Sequence, residues 1–325
     1  MSALEVPATG EGRTGPERLM DLLFTPRSVA PMAVYRIALG ALVTLWAVSI
    51  GADILHFFGP DAIATPARGR GMWTLLGSEP SNELVIGIYV VLLMSCVAVM
   101  VGWHTRVASL AMLAVLISFS RRDPWVYNSG DAMLRILAFY LVLMPAGAAY
   151  SLDARRRRGD WRFVAHRAPW PLWLVRIQVA VVYITTALEK MPGATWSRGT
   201  AVGTALRITD LQRFPVPAFV TESLILVNLI TFGTLAFEFV AGVLIWPKAT
   251  RKYVIMAGIG LHLGIEYALQ VGPFSWAMLT AYLTFASAEV IEHRAGRWFG
   301  RPDDPDADVP VTEDPVHTTA GTDGP

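Results

Sequence analysis

Apolar and polar positions alternate along this chain in long blocks, not residue by residue. Eight apolar runs stand out: Met32–Ile50, Leu84–Gly102, Val107–Phe119, Ala132–Tyr150, Pro171–Leu188, Ser223–Trp246, Tyr253–Gly272 and Pro273–Ala288. Roughly 20 apolar residues in helical form cross a bilayer. Blocks this long lack both the period-2 alternation of a half-buried strand and the single stripe of a surface helix. The pattern predicts an all-α, polytopic transmembrane helical bundle of about eight spans. Val107–Phe119 is the weakest run and also reads as a kinked or re-entrant segment, so seven and nine spans stay open. The polar flanks divide the chain into three parts: a flexible cytoplasmic N-terminal tail (1–30), a membrane domain (31–292) and a disordered acidic C-terminal tail (293–325). After Arg301 come seven acidic residues with no Lys or Arg, a composition that does not fold by itself.

Composition agrees with a membrane location. Hydrophobic residues make up 54% and charged residues 16%, where soluble domains carry about 25% charged. A net charge of +1 excludes nucleic acid as a partner and leaves the lipid bilayer. The one cysteine, Cys96, lies within an apolar run, which excludes a disulfide and a cysteine metal site. The first apolar run begins near Met32, too deep for a short cleavable leader.

Positive charge in the connections orients the spans. With the N-terminus inside, the inner segments hold sixteen Lys and Arg and the outer loops eight. The expectation is a multi-pass protein of the cell membrane with both termini cytoplasmic. The run Arg155–Arg158 is its strongest inner anchor, facing anionic lipid.

On this topology the unusual polar residues gather near the outer face. Arg176, Tyr183 and Lys190 are spaced seven apart, which at about 3.6 residues per turn places them on one helix face. Ala180 and Ala187 lie on the same stripe and permit close approach of another helix. Glu189 and Lys190 end the helix, and Trp196 follows. A lysine at that position snorkels, pairs or acts as a base. If it is a base, Lys190→Arg and Lys190→Ala should both leave folding intact and remove activity.

Asp131 and Arg135, four apart, open the fourth run. They read as a salt bridge and a helix cap, or as part of a site. Glu238 lies deep in the sixth run. His262 and Glu266 share a face of the seventh, as a hydrogen-bonded lock or as support for a site. Two ligands on one helix are too few for a metal, and none is expected. No nucleotide-binding glycine motif or serine elbow is present.

Four short motifs carry a resemblance: R-I-A-L-G (Arg36–Gly40), F-G-P-D (Phe58–Asp61), N-S-G-D-A-M-L-R-I-L-A-F (Asn128–Phe139) and Tyr183, Lys190, Trp196 and Gly199 in Y-x6-K-x5-W-x2-G. Over about residues 30–290 the chain resembles the HTTM family, multi-helix membrane proteins that include the vitamin K-dependent gamma-carboxylase. The resemblance implies that Lys190 is a catalytic base towards a reduced quinone, a vitamin K-like quinol. The carboxylase has a histidine in the polar stretch before the fourth run, where this chain reads Asn128-Ser129-Gly130-Asp131. It also carries a large lumenal domain where this chain has its acidic tail.

Two classes of function follow. In the first, the protein is an enzyme with an outward-facing cavity for a lipid-like quinol. Lys190 is then its base, Asp131, Arg135, Tyr183, Glu189 and Trp196 line the cavity, and His262 and Glu266 support it. In the second, it is a non-catalytic membrane partner of a membrane or secreted protein, or a transporter-like lipid-binding protein.

Overall fold

A computed structural model of the protein describes residues 14–63, 73–77, 79–122 and 128–300. The acidic tail beyond Gly300 and the middle of the Arg121–Asp131 loop lie outside the described residues. The helices, in order, are α1 (Gly15–Phe24), α2 (Ala30–Gly51), α3 (Ile54–Phe58), α4 (Asn82–Val101), α5 (Thr105–Arg122), α6 (Ser129–Leu143) and α7 (Leu152–Arg158). They continue with α8 (Trp170–Lys190), α9 (Ala194–Ser197), α10 (Ala201–Ala205), α11 (Ala218–Glu222), α12 (Leu224–Leu244), α13 (Lys248–Ala268), α14 (Phe274–Tyr282) and α15 (Ala288–Phe299). Two short strands, Arg27–Ser28 and His166–Arg167, pair antiparallel.

Every apolar run lies on a helix, so the all-α expectation holds. Among the described residues, four helices (α2, α4, α8 and α12) are long and apolar enough to cross a membrane on their own. A fifth candidate is the pair Phe274–Phe285 and Ala288–Phe299, bent by 97°. Length and composition therefore support four to five spans, fewer than the eight apolar runs.

Two segments assigned to tails are structured. Gly15–Phe24 is helical, started by Pro16 in its first turn and by Glu17, which accepts the Thr14 N–H at 2.9 Å. α15 runs past residue 293, with Ser287 as its N-cap. Both are short and amphipathic, so a search for 20-residue apolar runs passes over them.

α8 packs along α12, α2 along α4 and α4 along α5. The small residues on the α8 stripe do what their size allows: a Cβ on Gly242 of α12 would lie 3.2 Å from the Ala180 carbonyl oxygen. At the start of α8, Arg176 donates from Nε to the Thr284 carbonyl at 2.9 Å and lies over the Trp173 ring at 4.9 Å.

The end of the bundle that carries Arg155–Arg158 is closed by two buried charges. Arg36 is fully buried and donates to the Val99 carbonyl at 3.1 Å and the Tyr150 carbonyl at 2.7 Å. The Val99 carbonyl, in the last turn of α4, also accepts the Gly102 N–H at 3.2 Å. Gly102 caps that helix in the left-handed region, φ 71°, and a Cβ there would collide with the Arg36 guanidinium. Asp153 accepts the His104 N–H at 2.9 Å, the Thr105 N–H at 2.8 Å and the Thr105 hydroxyl at 2.7 Å. It is an N-cap for α5 supplied from another segment.

At the opposite end, Arg122 donates to the carbonyls of Phe58, at 3.3 Å, and Gly59, at 2.9 Å. This holds the F-G-P-D turn against α5.

Candidate functional site

The polar face of α8 meets α12, α13 and α14 near the end opposite Arg155–Arg158. Lys190, in the last turn of α8, is ion-paired with Glu238 of α12. The Glu238 side chain is 8% exposed and that of Lys190 27%, so the carboxylate is the buried partner. The second Glu238 oxygen has no hydrogen-bond partner among the described residues. The ammonium also lies over the Trp196 ring, 5.0 Å from its centre, a geometry in which the ring quadrupole attracts a cation.

Two turns before Lys190, Tyr183 is 2% exposed. Its hydroxyl is 3.2 Å from His262 Nε2 on α13 and in hydrogen-bond contact with the Tyr282 hydroxyl of α14. Its ring packs edge-on against Phe237, the neighbour of Glu238, at 5.6 Å. His262 is 2% exposed and its Nδ1 has no hydrogen-bond partner among the described residues.

The expected His262–Glu266 pair is not what forms. His262 bonds Tyr183, while Glu266 bonds Arg213 at 2.7 Å from the loop before α11. Residues four apart share a face, but here each finds its partner on a different neighbouring segment.

Asp131 and Glu266 line a second region, a cavity of about 830 Å³ between α2 and α14. Asp131 caps α6 as the helix dipole favours, in a capping box with Asn128 and with the Trp46 side chain as a further hydrogen-bond partner. Lys190, Tyr183, Trp196 and His262 do not line this cavity. Arg135 is half-buried on α6 and Glu189 is exposed, and neither lines it.

The glycine that closes the W-x-x-G motif has a physical reason. Gly199 has φ 73°, and a Cβ there would lie 2.6 Å from both Asn228 and Phe232 of α12. Only glycine lets the chain turn tightly against α12 just after Trp196, which keeps the ring over Lys190.

A family model described as the HTTM domain matches residues 24–289. The chain belongs to the HTTM family. No solved structure matches it. In this HTTM protein the motif residues Tyr183, Lys190 and Gly199 each meet α12, and Trp196 lies over Lys190.

Sequence reasoning marked Glu238 as an acid within the membrane without giving it to Lys190, and it passed over Tyr282 and Arg213. Glu238 was detectable as a buried acid needing a cation. Tyr282 and Arg213 carry no such signal.

Proposed function

We propose that this HTTM protein is a membrane enzyme that removes a proton from a lipid-like quinol or a related hydroxylated substrate, with Lys190 as base. The observation that carries the reading is the Lys190–Glu238 pair, whose second carboxylate oxygen is buried and unpartnered. Buried polar atoms without partners are uncommon and call for an explanation. Glu238 Oε2 and His262 Nδ1 are two such atoms, and a ligand hydroxyl supplies the hydrogen bonds they lack. A reduced quinone, when bound, supplies an acidic hydroxyl. In this reading Lys190 passes its proton to Glu238 as it takes the one from the substrate hydroxyl, so the proton removed ends on the pair. Tyr183, joined to His262 and Tyr282, offers a hydroxyl chain along which a proton moves between α8, α13 and α14. The test is loss of protein-accelerated quinol oxidation by dioxygen in a Lys190→Arg variant that still melts like wild type.

A second reading has its own support. Asn128–Asp131 carries no histidine, and Asn128 Oδ1 and Asp131 Oδ2 are spent on capping α6. The Lys190–Glu238 pair is then a staple between helices, and the protein is a non-catalytic membrane partner or a lipid-binding protein.

We also propose that both termini face the cytoplasm. Cys96 is fully buried, so single cysteines at the exposed positions Arg156 and Ser197 report without background. Arg156→Cys should react with an impermeant maleimide only after the membrane is opened, and Ser197→Cys in intact cells. Reaction of both from one side would reject this orientation.

A further inference from the structure

The cavity between α2 and α14 takes no part in the Lys190 reading. Its trough is built from Ala38, Ala41, Leu42 and Leu45 of α2 with Leu279 and Leu283 beyond the start of α14. The two alanines leave the space that larger side chains would fill. The trough opens towards the surface of the bundle, where Leu45 is 69% and Trp276 45% exposed. One end is polar, formed by Asn128, Asp131, Arg213 and Glu266. We propose that this cavity binds a phospholipid with a primary-ammonium head, its chain in the trough and its head at the Asp131–Glu266–Arg213 end.

Three properties of the polar end select that head. First, Glu266, only 8% exposed, has a buried Oε2 with no donor among the described residues, and beside it the Asp131 side chain has only the Trp46 side chain and the Asn128 N–H as donors there. A carboxylate oxygen left in that condition is costly, and a donor from outside the chain relieves it. An ammonium group brings three N–H donors. Second, with both carboxyls ionised the three charged side chains sum to one negative charge, which favours a cation deep in the site. Third, Arg213 uses one nitrogen on Glu266 at 2.7 Å, and its side chain is 38% exposed. Its remaining donors are open to a phosphate oxygen, the geometry in which guanidinium groups hold phosphate. A zwitterionic head satisfies all three. A trimethylated head has the charge but no N–H donors, and an anionic head meets two carboxylates. A volume of about 830 Å³ falls within the usual range for ligand sites, about 300–1,000 Å³.

The proposal is independent of Lys190, because none of its residues belongs to the Lys190–Glu238–Tyr183–His262 cluster. Purified, delipidated protein would be titrated with phosphatidylethanolamine, phosphatidylcholine and phosphatidylglycerol of identical chains. Bound lipid is counted by native mass spectrometry. Wild type should retain the ethanolamine lipid about fivefold over the other two, equivalent to about 1 kcal/mol. Asp131→Asn and Glu266→Gln should each erase the preference. Asp131→Asn keeps an oxygen for the Asn128 N–H and so keeps the cap, which maintains the test if Glu266→Gln fails to fold. Ala41→Trp, filling the trough, should lower retention of the ethanolamine lipid to the level of the others. Equal retention of the three lipids by wild type, or an undiminished preference in Asp131→Asn or Ala41→Trp, would overturn the proposal.

Discussion

Lys190→Ala is expected to destabilise the protein by about 3 kcal/mol, and Glu238→Ala by clearly less. The difference follows from burial. Removing the lysine strands Glu238, whose side chain is 8% exposed between Phe237 and Phe239. An uncompensated carboxylate there is a buried charge without a partner. Removing the glutamate leaves a lysine at a helix end, 27% exposed, which can extend its flexible stem towards water and still faces the Trp196 ring at 5.0 Å. The double variant Lys190→Met/Glu238→Leu should recover most of the loss, because a packed apolar pair replaces a buried ion pair at little cost. Melting temperatures in one detergent check all four proteins. Equal losses in the two single variants, adding up in the double, would show that the residues do not interact. The result also revises the sequence expectation that Lys190→Ala leaves folding intact. Only Lys190→Arg preserves the charge that Glu238 needs.

The second large effect belongs to Asp153. Asp153→Ala leaves two backbone N–H groups and the Thr105 hydroxyl without their acceptor at a site that is 6% exposed. The expected loss is about 3 kcal/mol. Burial raises the Asp153 carboxyl, but the Thr105 N–H and hydroxyl, the His104 N–H and the charge of Arg157 outweigh it and hold it below the ordinary carboxylate range. A carboxyl lowered by folding contributes stability that is fully present above its unfolded pKa, about 3.9. That stability is lost as the pH falls through the lower folded value. The gap in melting temperature between wild type and Asp153→Ala should therefore be constant from pH 7 to about pH 5 and shrink below about pH 4. A gap that stays constant to pH 3 would mean that the carboxylate charge contributes nothing to the cap.

What the sequence disclosed divides along one physical line. Features set by local periodicity were readable. The eight apolar runs became helices, and the stripe of Arg176, Ala180, Tyr183, Ala187 and Lys190 faces the bundle. Asp131 also caps the helix that it opens. Features set by tertiary contact were not readable. Nothing within 48 residues of Lys190 announces that Glu238 will meet it, and no spacing rule separates Glu266 from His262 and gives it to Arg213. The amphipathic helices α1 and α15 were missed for a third reason: they are too short and too polar to register in a search for bilayer-length runs.

The account rests on Lys190 being the base and not only a staple. The direct measurement is the rate at which the purified protein accelerates oxidation of a reduced naphthoquinone by dissolved dioxygen, a reaction that the deprotonated quinol undergoes faster than the neutral one, beside the melting temperature, for wild type and Lys190→Arg. Arginine keeps the ion pair with Glu238 and the contact with Trp196 but stays protonated at any working pH. The account predicts that the two proteins melt alike and that turnover seen in wild type disappears in Lys190→Arg. A Lys190→Arg protein that turns over as fast as wild type, or a folded wild type with no turnover, would contradict it and leave the pair as a link between helices.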